Sequence, residues 1–203
     1  LEGMQQFLRH EAAYREEHFT TNDLSIHAEG VTWKEVNAEK IIFCEGYLAT
    51  QNSYFSWLPF VLTKGEVLTI HIPNFDTESV LNKGVFFLPM GNQVYKVGAT
   101  YEWNDLTEQI TEQGKQQLLQ KIQQVLTVPF SIVAHESGIR PTVKDRRPII
   151  GLHPEHSQIG IFNGMGTKAI LLAPYYAQQF AQFLAGHAEL NPEIDIARFK
   201  LKS

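Results

Sequence analysis

The stretch FNGMGTKAILLAP, Phe162–Pro174, sets Gly164, Gly166, Thr167 and Lys168 directly ahead of an apolar run. The residues before it, QIGIF, read as a strand. Behind it, KAILLAPYYAQQFAQFLAG carries Leu172, Tyr176, Phe180 and Phe183 or Leu184 at helical spacing, with Gly186 as the stop and Pro174 near the start, where proline costs least. In a strand, glycine turn and helix, free backbone N–H groups and the helix dipole can meet an anion or an electron-rich ligand edge. Gly164 and Gly166 would let such a ligand approach the backbone, and Lys168 would add a full charge. The competing reading is a plain strand-to-helix turn that needs glycine for its geometry alone.

Upstream lies SIVAHESGIRP, an apolar strand that leaves through Gly138 and Arg140 into the turn-rich PTVKDRRP. An arginine at that place can offer a carboxylate two parallel hydrogen bonds, or it can make a structural salt bridge with Glu136 or Asp145. Both readings stand at this level. Arg146 and Arg147 fall in the most polar part of the loop and are expected in solvent. His153 and His156 flank a proline with no partner at a recognisable ligand spacing, so no metal site is expected.

Further upstream the texture is antiparallel. GEVLTIHI alternates, and VFFLP and QVYKVGATY flank MGN, a hairpin signal. NDLTEQITEQGKQQLLQKIQQVL follows, with Asp105 and Glu108 spaced as a capping box and Leu118, Ile122, Val125 and Leu126 on one face. Gly114 makes that helix firm only beyond it. Phe86 and Tyr101 belong to this block and are read as packing residues. Earlier still, KIIFCEGYLA suits a fully buried, parallel strand ending at Gly46, with Cys44 as a buried structural thiol. The opening LEGMQQFLRHEAAYREEHF spaces Leu1, Met4, Leu8 and Ala12 as a helix without a capping residue before it, so the sequence reads as starting inside a helix.

The fold class is therefore mixed α/β (α+β): a segment of one α/β domain, an inserted antiparallel domain, and a return to the first, at about residues 1–60, 61–140 and 141–203. At 203 residues and 43% hydrophobic content the chain can bury a substantial core. Its 17 basic and 22 acidic residues give a net charge of -5, without a basic stripe interleaved with aromatics, which argues against nucleic acid as a partner. No apolar stretch approaches the roughly 20 residues that span a bilayer, and no signal-peptide pattern opens the chain, so a cytoplasmic setting is the simplest reading. One cysteine excludes an internal disulfide.

Taken in order, KIIFCEGYLA, LPFVLTKGEVL, VYKVGATY and SGIRPTVKDRRPIIGLHPEHSQIGIFNGMGTKAILLAP resemble the D-amino-acid oxidase-like FAD-dependent oxidoreductases. The glycine oxidase, sarcosine oxidase and tRNA-modifying branches are the most similar. The resemblance runs from about Leu24 to Phe183. It implies FAD as cofactor, a small amine or amino acid as substrate, and hydride transfer to the flavin. The family's opening G-x-G-x-x-G unit has no counterpart here, which leads to the expectation that about 150 N-terminal residues needed to hold FAD lie outside this chain, judged by the usual size of such a half.

Residue by residue, Gly46 resembles the turn that passes close to the cofactor. Gly164, Met165, Gly166, Thr167, Lys168, Ala169 and Ile170 resemble the loop and helix start under the flavin pyrimidine ring, with Lys168 where the sarcosine-oxidase branch has a lysine beside flavin N1. A fixed cation there would offset the negative charge gained on reduction. Arg140 resembles the arginine that clamps the substrate carboxylate. Phe86 stands where glycine oxidase has an assisting tyrosine, and Thr167 where it has a second arginine; Tyr101 offers a replacement hydroxyl. Gly138 aligns with the cysteine of covalently flavinylated members, so FAD would be noncovalent. Lys64 is read as an anchor of structure. Two further readings remain: a non-catalytic binding module derived from this family, and a flavin oxidase acting on a modified tRNA base. The oligomeric state is left open.

Overall fold

The computed structural model describes residues 2–11 and 13–199. Two compact units divide between Ile41 and Ile42. In the first, helix α1 (Glu2–His10) forms as its spacing predicts, with Met4 and Phe7 exposed. Leu1 and Ala12, the ends of that spacing, lie outside the described residues. Strands β1 (Leu24–His27), β2 (Gly30–Trp33) and β3 (Val36–Ala38) then make an antiparallel meander that the sequence reading had not identified.

Strand β4 (Ile41–Phe43) straddles the division and is shorter and less buried than predicted, since only Phe43 is fully covered. A 3-10 turn, Gly46–Thr50, follows. Cys44 is exposed, which corrects the expectation of a buried thiol: alternation turns it away once Phe43 points into the core. Desolvation of its sulfur and the neighbouring Glu45 carboxylate hold the thiol above its ordinary value, so it is a poor nucleophile near neutrality.

The alternating middle then builds strands β5 (Phe60–His71), β6 (Leu81–Asn82), β7 (Phe86–Gly91) and β8 (Val94–Gly98), helix α2 (Glu112–Gln123) and strand β9 (Ser131–Val143). The five strands form one antiparallel sheet in the order β6-β7-β8-β5-β9. The MGN hairpin is present, with Asn92 and Gln93 at φ 52° and 63°, the left-handed pair that a tight β-turn uses. Leu68, Ile70, Phe87, Tyr95 and Val97 share one face and bury against Leu118 and Ile122 of α2. Each fully buried aliphatic side chain of this kind contributes about 1.5–3 kcal/mol.

Helix α2 starts later than the Asp105/Glu108 spacing predicts. Thr111 is its N-cap, accepting from the Gly114 N–H at 2.9 Å. Asp105 is instead engaged by Lys64 and by Thr107, so it is unable to cap.

Strands β10 (Ile149–Leu152) and β11 (Ile159–Asn163) form a hairpin, and β11 lies between β10 and β4 in a second sheet. The β10 strand follows the turn-rich PTVKDRRP directly and has no counterpart in the sequence reading. Helix α3 (Ala169–Leu184) packs Phe180, Tyr176, Phe183 and Leu184 against Ile150 of this sheet and stops before Gly186, at φ 73°. Pro174 lies in the second turn, not the first, where it removes the bond to the Ile170 carbonyl. No helix among the described residues is long and apolar enough to cross a membrane.

Candidate functional site

Because the apolar core takes one face of the five-stranded sheet, alternation assigns the other face by elimination. The register pairs Thr63 with Arg140, Gly65 with Gly138 and Val67 with Glu136, so these residues project together away from α2. The Arg140 side chain leans over Gly65: a Cβ built there would stand 1.8 Å from a guanidinium nitrogen. Its two terminal nitrogens donate to the Thr100 carbonyl at 3.5 and 3.4 Å, and the guanidinium carbon lies 4.8 Å from the centre of the Tyr101 ring. The ring face of Tyr101, not its hydroxyl, therefore meets Arg140.

Neither salt bridge considered from the sequence forms. Glu136 pairs with Lys96 at 2.8 Å and Asp145 with Arg198 at 3.1 Å. No carboxylate among the described residues pairs with Arg140, and burial pulls its pKa below the ordinary value. A half-buried guanidinium stays charged, so its field is available to an anion. Beside it the space over Gly138 is open, with nothing within 4 Å of a Cβ built there. Phe86 stands opposite Gly98 and its ring would lie 3.3 Å from a Cβ at that glycine. Of these glycines only Gly138 is open, beside Arg140. Val67 and the Phe86 ring fill the space over Gly98, and Phe86 on β7 stands across β8 and β5 from the Arg140 strand, so the structure does not bring Phe86 to the guanidinium.

The second predicted segment meets the far end of the same strand. Gly164 has φ 77° and a Cβ there would meet the Ile149 nitrogen at 2.8 Å; Gly166 has φ 53° and would meet Thr142 Cγ2 at 2.9 Å. Both glycines are thus required by packing and by left-handed backbone. Thr142 lies on the same face of β9 as Arg140 and two residues along, about 7 Å away at strand rise. Met165 packs into the apolar cluster of the second sheet, whereas Thr167, Lys168, Ala169 and Ile170 are exposed, Ile170 at 82%. No carboxylate among the described residues pairs with Lys168, and it stands at the N-cap of α3, at the end of the 3-10 turn Gly166–Lys168, its own N–H donating to the Met165 carbonyl at 3.1 Å.

Gly46 joins this group through a residue that sequence reasoning missed. The buried Asn163 donates from Nδ2 to the Gly46 carbonyl at 2.7 Å and accepts from the Gly164 N–H at 2.8 Å. One side chain thereby ties the turns at the ends of the neighbouring strands β4 and β11, where open α/β sheets present ligand sites. Gly65, Thr100, Thr142 and Trp103 were missed as well. A glycine inside the alternating TKGEVL pattern was the one available signal, since it marks a close approach of another group.

On the opposite face, Lys64 is 1% exposed and its Nζ donates to Asp105 at 2.5 Å, as an anchor would. The buried Glu66 accepts from the Thr111 N–H and hydroxyl at 3.0 and 2.7 Å, and lies 2.7 Å from His135. The ligand atoms of His153, Glu155 and His156 fall within 4.8 Å of one another, closer than their spacing implied. His153 Nδ1 accepts from the Glu155 N–H at 3.2 Å and its ring packs against Phe55, so that nitrogen is already engaged. Arg147 pairs with Glu193 at the surface.

The family model described as FAD dependent oxidoreductase matches residues 4–183. The chain is 29% identical over 131 residues to the glycine oxidase of Bacillus licheniformis, covering 63% of this chain and 36% of that protein. It is 30% identical over 118 residues to the glycine oxidase of Bacillus subtilis (strain 168), covering 57% and 32%. Among solved structures, glycine oxidase from Geobacillus kaustophilus aligns with TM-score 0.71 at 23% identity, covering 89% of this chain and 50% of that one. The fructosamine oxidase of Aspergillus fumigatus aligns with TM-score 0.65 at 14% identity, covering 85% and 49%; these structural likenesses show the fold. The matched stretches span 32% to 42% of the length of the curated relatives.

Proposed function

The chain belongs to the FAD-dependent oxidoreductase family, and from that premise we propose that it forms the substrate-binding face and flavin-edge turn of a longer enzyme that oxidises an amine or amino acid. The observation that carries this reading is Arg140: a half-buried cation without a carboxylate partner among the described residues, beside open space over glycine. Residues 61–140 would be the substrate domain, and 1–60 with 141–203 would belong to the FAD-binding body. The sharing of one sheet by β4, β10 and β11 supports that division.

The residues present fit the flavin edge, because the glycine turn, the exposed Lys168 and the N-terminus of α3 follow one another at the end of β11. When bound, FAD would accept a hydride from the carbon alpha to the substrate nitrogen, leaving an imine. Arg140 would hold the substrate carboxylate through charge-assisted hydrogen bonds and so fix which carbon faces the cofactor. Lys168 and the α3 N-terminus would supply positive potential at the cofactor edge. Gly138 in the cysteine-aligned position supports noncovalent binding. If the substrate amine binds neutral, no side-chain base is required to take its proton.

Expression together with the upstream coding region should give yellow protein that candidate amino acids bleach. Arg140→Ala should abolish bleaching, and undiminished bleaching removes Arg140 from the site. Lys168→Met should lower the flavin potential; an unchanged potential ends the electronic role of Lys168.

A further inference from the structure

Beyond the clamp, the same face carries a surface that glycine would leave uncovered. The Tyr101 ring, against which Arg140 lies at 4.8 Å, is itself stacked on Trp103, with centroids 6.2 Å apart and planes at 23°. Both rings are 59% exposed. They follow β8 in a segment that continues along β5: Glu102 exchanges backbone hydrogen bonds with Lys64, and the Glu102 carboxylate accepts from the Trp103 and Asn104 N–H groups at 2.8 and 2.7 Å. Alternation about Glu102 sends Tyr101 and Trp103 to the Arg140 side of the sheet. The backbone under Trp103 is thus fixed, and the platform is formed before anything binds.

A cation, a tyrosine face and a tryptophan face in continuous contact make a site with one charged end and one planar apolar end. A large exposed aromatic surface beside a cation that has no carboxylate partner among the described residues is a binding feature. Resting on the reading of Arg140 as a carboxylate clamp, we infer that Tyr101 and Trp103 set specificity, and that the preferred substrates are amino acids bearing a planar apolar group on Cα or on nitrogen. The carboxylate would seat on Arg140 while the planar group covers the exposed rings.

Calorimetric titration, without oxygen, of the protein expressed together with the upstream coding region, with glycine, phenylalanine and N-benzylglycine, tests this. At least one aryl compound should bind about tenfold or more tightly than glycine, from ring stacking and the area it covers. Phenylalanine alone places the aryl group on Cα, and N-benzylglycine alone places it on nitrogen. Trp103→Ala should bring the ratio of dissociation constants to about one, and Trp103→Phe should restore most of it, because a smaller ring still stacks. A wild-type chain without aryl preference, or a preference that survives Trp103→Ala, overturns the platform and leaves the clamp standing. Arg140→Gln should weaken all three ligands; wild-type affinities in that variant overturn the clamp and the platform with it. Absence of saturable binding to any of the three overturns both.

Discussion

Replacing Gly65 by alanine separates the clamp from the fold. The new methyl would stand 1.8, 2.3 and 2.4 Å from the atoms of the Arg140 guanidinium, against a comfortable separation of about 3.5–4.0 Å. The guanidinium must therefore move by about 2 Å at van der Waals contact distances, and it is the far end of a flexible side chain. Gly65 has ordinary backbone, so alanine costs the chain little and restricts the unfolded state, worth about 0.4–1 kcal/mol in favour of folding. The expected result is unfolding stability within about 1 kcal/mol of wild type by urea titration. Amino-acid binding should suffer far more. Losing charge-assisted hydrogen bonds of about 1.5–3 kcal/mol weakens the dissociation constant about 10- to 150-fold. Gly138→Ala is the companion, because its methyl enters open space and leaves Arg140 in place; it should weaken binding only through ligand bulk. An unchanged dissociation constant in Gly65→Ala refutes the placement of the ligand at Arg140.

Gly114→Ala opposes two physical expectations. Helix propensity alone favours alanine by about 1 kcal/mol, but the methyl would lie 2.5 Å from the buried Glu66 carboxylate, and overpacking costs about 1–3 kcal/mol. The urea midpoint should fall, and a rise would show that Glu66 does not constrain the helix. Asn163→Leu should cost about 2 kcal/mol or more by leaving the Gly46 carbonyl and Gly164 N–H unpaired. Unaltered thermal unfolding would mean that the two turns do not depend on this latch. The hydrogen bond from Lys64 holds the Asp105 carboxyl well below its ordinary value of 3.8. A depressed folded-state pKa stabilises the fold above the unfolded value and loses that effect as pH falls through the folded one. The stability difference between wild type and Asp105→Asn should thus be largest near neutrality and shrink below about pH 4; a difference independent of pH counts against the ion pair.

Sequence pattern reached the elements whose signals are local. The MGN turn, the Leu118 and Ile122 part of the α2 stripe and the Gly186 stop each depend on a few adjacent residues, and each is present, whereas α2 ends at Gln123, so Val125 and Leu126 pack against the core from beyond the helix. Where the reading failed, a distant partner had taken the local group. Asp105 reads as a helix cap until Lys64, 41 residues away, takes its carboxylate. Glu136 and Asp145 read as partners for Arg140 until Lys96 and Arg198 claim them. The β10 strand was hidden because IIGL is short and turn residues surround it on both sides. Arg140 and the Gly164–Lys168 turn could each be named from the sequence, but Gly65, Thr100 and Asn163 are defined by contacts across 75, 40 and 117 positions, respectively.

The register of β9 explains why those two separately named segments form one surface. This strand is thirteen residues long and pairs with β5 along its length, with a single irregularity at Thr69/Ile70, far from Arg140. From Gly138 to Thr142 the side chains facing away from α2 are therefore held in regular order, with glycine at the open position, arginine at the centre and threonine against Gly166. Slipping the pairing by one residue would send Arg140 to the buried face, where the apolar core leaves it no partner. Burial of that core thus fixes the register, and the register sets the cation beside the glycine turn. Fold stability and site geometry share one cause here, and substitutions such as Gly65→Ala are informative because they disturb the second without the first.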